Sequence, residues 1–189
     1  VSESDLINFV GVDPVVDPSL VFFDFDNKNA WWGKMQTNTR NDSESVDGTN
    51  YGWINEDLGA GWTDLFWRNS ANDFPGAVIG TDVNGYVLKL DINIKDPFTG
   101  GNLKLRLNGS EGDFWYAIGP ATTPSGSSKN STDGWETITV RITDFKDNYG
   151  WGSNSPTNLA VITNEFGMAW DNGASKVNVL IDNVRFEKL

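Results

Sequence analysis

Nine tryptophans, at positions 31, 32, 53, 62, 67, 115, 135, 151 and 170, are the residues of this 189-residue chain best equipped for chemistry, and that chemistry is stacking. An indole offers a large flat apolar face and a single edge donor, which matches the apolar face and hydroxyl rim of a pyranose ring. The chain has neither histidine nor cysteine. A serine triad would lack its base, a thiol enzyme its nucleophile and a soft-metal site its ligands. Phosphate-binding loops of the Gly-x-Gly-x-x-Gly or Gly-x-x-x-x-Gly-Lys kind are absent, and the formal charge of −12 repels phosphate backbones and anionic bilayers. A neutral polymer is the partner that this field permits.

Carboxylates are the remaining reactive groups. Glycoside hydrolysis sets two of them about 5–10 Å apart across a scissile bond. Glu111 and Asp113 flank a turn, but no Glu-x-Asp-x-x-Glu strand of the laminarinase type occurs, and acids are frequent enough for isolated pairs to arise by composition. The run from Asp24 to Asn29 lacks the glycine and the terminal glutamate of an EF-hand. A different, structural calcium site joining the first strand to the last through Asp26 and Asp182 is an expectation, since neighbouring carboxylates repel unless a cation or hydrogen bonds neutralise them.

The elements that must position these side chains read as strands. Leu88, Leu90, Ile92 and Ile94 alternate with Lys89, Asp91 and Asn93, the pattern of a half-buried strand over 86–95. Leu103, Leu105 and Leu107 alternate with Lys104, Arg106 and Asn108; beyond the Asn108-Gly109-Ser110 turn, 114–118 continues as the hairpin partner. Further strands are expected at 20–25, 31–39, 137–142, 165–170 and 176–186, with loops at 120–134 and 147–156, where Gly, Asn, Asp, Ser and Pro cluster. The fold class is therefore all-β, an antiparallel β-sandwich of the jelly-roll kind with about eight or more strands. Residues 1–19, punctuated by Asp13-Pro14 and Asp17-Pro18, read as a linker or the end of a preceding module, and 20–189 as one domain. With no initiator Met, no signal peptide and no apolar run near 18 residues, Val1 is expected to mark the start of a fragment. Without cysteine the fold owes nothing to disulfides.

Position sorts the rings. Trp135 and Trp170 sit in strand patterns and are expected in the core or at its edge. Trp31 and Trp32 are adjacent, so they point to opposite faces and Trp32 becomes the candidate. Trp53, Trp62 and Trp67 fall in the Gly-, Asn- and Asp-rich stretch 51–74, where alternation is poor. Trp115 opposes Phe114 and Tyr116 on its strand, with Arg106 on the polar face next door. Asn50-Tyr51-Gly52-Trp53 recurs as Asn148-Tyr149-Gly150-Trp151, which adds Trp151 in a glycine-rich loop. The candidate carbohydrate-binding residues are thus Trp32, Trp53, Trp62, Trp67, Trp115, Trp151 and Arg106.

The closing run Val179-Leu180-Ile181-Asp182-Asn183-Val184-Arg185-Phe186 looks like the last strand of jelly-roll carbohydrate-binding modules. With the run from Phe22 to Asp26 followed by Trp31, and with the runs 86–90, 100–105 and 134–140, the chain from about residue 20 to 189 resembles the C-terminal glycan-binding domain of SusE-position surface glycan-binding proteins (the SGBP-B type) from Bacteroidetes. That resemblance implies a non-catalytic domain of an outer-membrane lipoprotein, anchored outside this fragment, facing outward at the cell surface beside a TonB-dependent transporter and a SusD-like protein. It also implies xyloglucan or other β-glucans as ligands.

The expected function is non-catalytic binding of a neutral polysaccharide by a monomer, with β-1,3-glucan (laminarin) or a mixed-linkage glucan as the first choice and no required cofactor. Shallow stacking sites give affinities of roughly micromolar to millimolar. Two rivals stay open: a hydrolase or lyase acting on the same polymers, and an adhesion module whose tryptophans face a protein.

Overall fold

The computed structural model describes residues 20–26, 31–38, 50–68, 74–120, 125–162 and 165–189; the expected linker, 1–19, lies outside them. Twelve strands occur among these residues: β1 (Val21–Phe23), β2 (Trp31–Trp32), β3 (Gln36–Asn38), β4 (Tyr51–Leu58), β5 (Thr63–Arg68), β6 (Tyr86–Ile94), β7 (Asn102–Gly109), β8 (Gly112–Ile118), β9 (Gly126–Ser127), β10 (Glu136–Arg141), β11 (Glu165–Asp171) and β12 (Ser175–Lys188). The one α-helical turn described is Gly76–Ile79. The strands form two six-stranded sheets, the expected β-sandwich.

The first sheet runs β10-β6-β12-β4-β3. β12 pairs with β6 along one edge and, along the other, with β4 through its first half and with β1 beyond a bulge near Asp182, so one long strand serves three partners. The second sheet runs β2-β5-β11-β7-β8-β9, antiparallel except for the β8–β9 pair.

The period-two reading decides what faces inward. Leu88, Leu90, Ile92 and Ile94 of β6 and Leu103, Leu105 and Leu107 of β7 are all buried in one core with Phe66, Phe166, Met168, Val179 and Ile181. Each such side chain contributes roughly 1.5–3 kcal/mol on leaving water. Trp170 is fully buried, as expected; its Nε1 donates to Gly173 O at 2.6 Å and its ring meets Phe98 edge-on at 5.2 Å. Gly101, at φ +69°, leaves room for that ring, because a Cβ there would overlap the indole.

Two sequence expectations are corrected. The single strand expected over 31–39 is two short ones in different sheets, β2 on β5 and β3 on β4. The break follows Gly33, whose φ of +140° and close approach to the Leu65 carbonyl admit no side chain. The stretch 51–74, read in the sequence as poor in alternation, carries β4 and β5. Gly52 interrupts the alternation in β4 because the Phe25 ring occupies the space a Cβ would need. In β5 a bulge lies opposite Met168/Ala169, with Met168 pairing to Phe66 and Ala169 to Asp64. The extra residue lets Leu65 and Phe66 both bury and turns Asp64 to the face it would otherwise avoid.

These packings predict a contrast. Trp170→Ala is expected to cost about 3–5 kcal/mol, as a large core truncation does. Trp62→Ala, at the surface, is expected to cost about 1 kcal/mol or less. Urea unfolding of the two variants checks this, and comparable losses would contradict the assignment of core and surface.

Candidate functional site

Register brings the site together. On the outer face of the second sheet a single cross-strand row runs Trp32 on β2, Trp67 on β5, Gly167 on β11, Arg106 on β7 and Trp115 on β8. Paired residues of neighbouring strands share a face, so five strands deliver three indoles and a guanidinium to one line. The gap at Gly167 is essential, since a Cβ there would overlap the Trp67 ring and the Phe66 carbonyl. With no side chain at the centre, Trp67 lies down towards β7, and Arg106 Cζ sits 5.0 Å from the centroids of both Trp67 and Trp115. The two rings stand almost perpendicular, at 89°.

Trp32, Trp62, Asp64, Trp67, Arg106, Asp113, Trp115 and Tyr149 line a cavity of about 430 Å³. Trp67 and Trp115, each 3% exposed, form its floor; Trp32, Trp62 and Tyr149, between 41% and 57% exposed, form its walls. Tyr149 stacks on Trp115 at 5.4 Å and 27°, while Trp62 meets Trp115 edge-on at 5.2 Å and 86°. Exposed aromatic walls around a buried aromatic floor are an arrangement that water alone does not favour.

Polar groups fix the rings. Asp113 receives Arg106 in a fork, Nε to Oδ1 at 2.5 Å and Nη2 to Oδ2 at 2.8 Å, so the cation is held in plane between the two indoles. Asp64, brought to this face by the β5 bulge, accepts the Trp62 Nε1–H at 2.6 Å and sets the turn of that ring. Trp67 Nε1, buried in the floor, has no acceptor among the described residues.

Of the seven expected binding residues, Trp32, Trp62, Trp67, Trp115 and Arg106 line this cavity. Trp151 does not line it but stands 60% exposed two residues from Tyr149 on the same loop. Trp53 is elsewhere: half-buried on β4 of the other sheet, its Nε1 donates to Asn178 Oδ1 at 3.3 Å. Sequence reading missed Tyr149, Asp64 and Asp113 as lining residues. The repeated tetrapeptide was a signal, but at 148–151 its tyrosine rather than its tryptophan faces the cavity. Asp113 was legible as the residue that hairpin register sets diagonally across from Arg106.

The acids examined for catalysis separate. Asp113 is bound to Arg106, whereas Glu111 accepts from the backbone N–H and hydroxyl of Thr157 and from Asn158 N. Asp26 is exposed and accepts from Asn50 through its backbone N–H and its Nδ2, at 3.2 and 2.8 Å. Asp182 is fully buried and accepts its neighbour's N–H, from Asn183, at 2.8 Å. No cluster of three or more acidic side chains that could hold a metal ion occurs among the described residues. Structural calcium at Asp26 and Asp182 therefore remains an expectation of the sequence.

Gly167→Ala is expected to displace the Trp67 indole and Arg106 while leaving the strands in place, at a cost of about 1–3 kcal/mol. Near-ultraviolet circular dichroism should change while the far-ultraviolet spectrum stays as in the parent. An unaltered aromatic spectrum would show that Trp67 does not rest over Gly167.

The sequence profile described as the surface glycan-binding protein B xyloglucan binding domain matches residues 15–188. The fold recurs in solved structures. SGBP-B from a complex xyloglucan utilization locus in Bacteroides uniformis is 12% identical, with a TM-score of 0.58 over 90% of this chain and 50% of its own. PbSGBP-B from Prevotella bryantii is 15% identical, with a TM-score of 0.61 over 89% and 55%. The family 11 carbohydrate-binding module of a cellulosomal cellulase of Clostridium thermocellum is 12% identical, with a TM-score of 0.52 over 89% and 94%. The chain spans about half the length of the two surface glycan-binding proteins. No curated protein sequence matches it.

Proposed function

The chain belongs to the surface glycan-binding protein B xyloglucan-binding domain family, a family of non-catalytic glycan binders, and from that premise we propose that the aromatic cavity on the second sheet binds a neutral β-glucan. The observation that carries the reading is the pairing of exposed walls, Trp32, Trp62 and Tyr149, with a cation and two carboxylates at their bases. A pyranose face leaves water against an indole or phenol ring, while Asp64 and Asp113 accept hydroxyl protons at its rim. Two carboxylates against one guanidinium, on a chain of net charge −12, disfavour uronic acids and sulfated polymers.

Xyloglucan is the ligand carried by the family's description, while the composition and charge of the chain favour a neutral glucan, for which a β-1,3- or mixed-linkage glucan is the first choice from sequence. Both are neutral β-glucans and both suit ring stacking; linkage is an outcome of the experiment. Trp151, exposed on the same loop two residues from Tyr149, is proposed to meet a further sugar of a long chain. In the whole protein the domain would sit outside the cell on a lipid-anchored chain, passing glycan to a TonB-dependent transporter and a SusD-like protein.

Affinity electrophoresis in gels containing xyloglucan, barley mixed-linkage glucan, laminarin or polygalacturonate tests the proposal. Retardation is expected in at least one neutral glucan and none in polygalacturonate. Trp62→Ala and Tyr149→Ala are each expected to weaken binding about tenfold, equivalent to about 1.4 kcal/mol, and Trp53→Ala to leave it unchanged. Migration unaffected by every neutral glucan would defeat the reading. Retardation abolished only by Trp53→Ala would move the site to the other sheet.

A further inference from the structure

Among the described residues, Lys104 is the one lysine of the outer faces that the fold hides: it is 3% exposed although the alternation of β7 directs it, like Arg106, to the solvent side of the second sheet. Its flanking partners in register are Ala169 and Ala117, both small and buried, so its stem lies in a trough one row from Arg106. The loop carrying Tyr149 closes over it. The ammonium donates to Tyr149 O at 3.0 Å, pairs with Asp171 Oδ2 at 3.0 Å and lies 5.9 Å from the Tyr149 ring centroid.

The backbone it holds is unusual. Asn148, Tyr149 and Gly150 all have left-handed φ, of 49°, 56° and 91°, and only the last is glycine. Side-chain-bearing residues persist there only where surrounding contacts over-determine them, and such strain gathers at ligand clamps. The contacts are present: Gly150 N and Gly152 N both donate to Asp147 O, Trp115 and Lys146 exchange both backbone hydrogen bonds, and the Trp115 ring stacks on Tyr149. Among these, Lys104 is the side chain that grips Tyr149 through its own peptide carbonyl.

We propose that Lys104 is a positioning residue of the glycan site: it latches the strained loop so that Tyr149 stands as a preformed wall before sugar arrives. This rests on the glucan reading of the cavity. A latch acts on the fraction of molecules whose wall is in place, and the apparent dissociation constant rises as that fraction falls. Asp171 is a quarter exposed, so water can take over its charge when the lysine is removed.

The test is a double-mutant cycle by titration calorimetry with xyloglucan and barley β-glucan on wild type, Lys104→Met, Tyr149→Ala and the double variant. Lys104→Met is expected to weaken binding about tenfold by lowering the competent fraction to about a tenth. It should add nothing in the Tyr149→Ala background, where no wall remains to position. Hydrogen exchange at Gly150 and Trp151 is expected to be faster in Lys104→Met than in wild type. Wild-type affinity in a folded Lys104→Met, or an equal loss with and without Tyr149, overturns the latch. If Lys104→Met does not fold, Asp171→Asn carries the same cycle, with a smaller loss that again vanishes with Tyr149. Should wild type bind neither glucan, the glucan reading fails on its own. The exchange comparison then decides the latch, with unchanged exchange at Gly150 and Trp151 overturning it.

Discussion

Everything at the site depends on one register. Antiparallel pairing of β2, β5, β11, β7 and β8 sets Trp32, Trp67, Gly167, Arg106 and Trp115 in one row, and a slip of one residue in any pair would send its member of the row to the opposite face. The core enforces that register. Leu105 pairs with both Met168 and Tyr116, and Leu107 with Phe166 and Phe114, so displacing the row means pulling leucines out of the interior. Hydrophobic burial on the inner face thus fixes the geometry of stacking on the outer one.

Within the row, a charged group serves as packing material. A guanidinium between two indoles is drawn to both ring faces, and its fork onto Asp113 fixes the plane in which it lies. Lysine would supply the charge without the plane. The result is a floor that is aromatic and apolar at its sides and polar along one line, the pattern that a sugar ring with axial C–H groups and equatorial hydroxyls presents in reverse. Trp53 illustrates the contrast. Half covered on the first sheet and tied to Asn178, its indole lines no part of the aromatic cavity.

Much of this was legible before any coordinates. The inward faces of β6 and β7 follow from strict alternation, and so does Trp115 on the outer face opposite Phe114. Arg106 beside Trp115 follows from hairpin pairing. What could not be read has a physical cause in each case. The β5 bulge breaks the period of two, so the stretch holding Trp62, Asp64 and Trp67 resembled a loop, and Asp64 gave no sign of its face. Tyr149 lies in a loop whose conformation is set by left-handed residues and by Lys104, a contact between positions 45 residues apart. Local pattern reports local geometry, and neither a bulge nor a long-range latch belongs to it. The same limit hid the burial of Lys104: alternation placed it outside, and only the returning loop covers it.

The two halves of the cavity consequently differ in stiffness. Trp67 and Trp115 are strand residues, held by ladders on both sides and by the core beneath, and they have little freedom to adapt. Tyr149 stands on a loop held by a few hydrogen bonds against backbone strain, and Trp62 precedes its strand with one carboxylate to orient it. On the proposed glucan reading, a rigid floor would set which sugar face is accepted, since stacking tolerates little tilt. The walls set how strongly it is held, because any freedom they retain in the absence of ligand must be given up on binding. On the proposed glucan reading, selectivity and affinity would therefore be carried by different elements: the register of the second sheet would govern the first, and the loop over Lys104 the second.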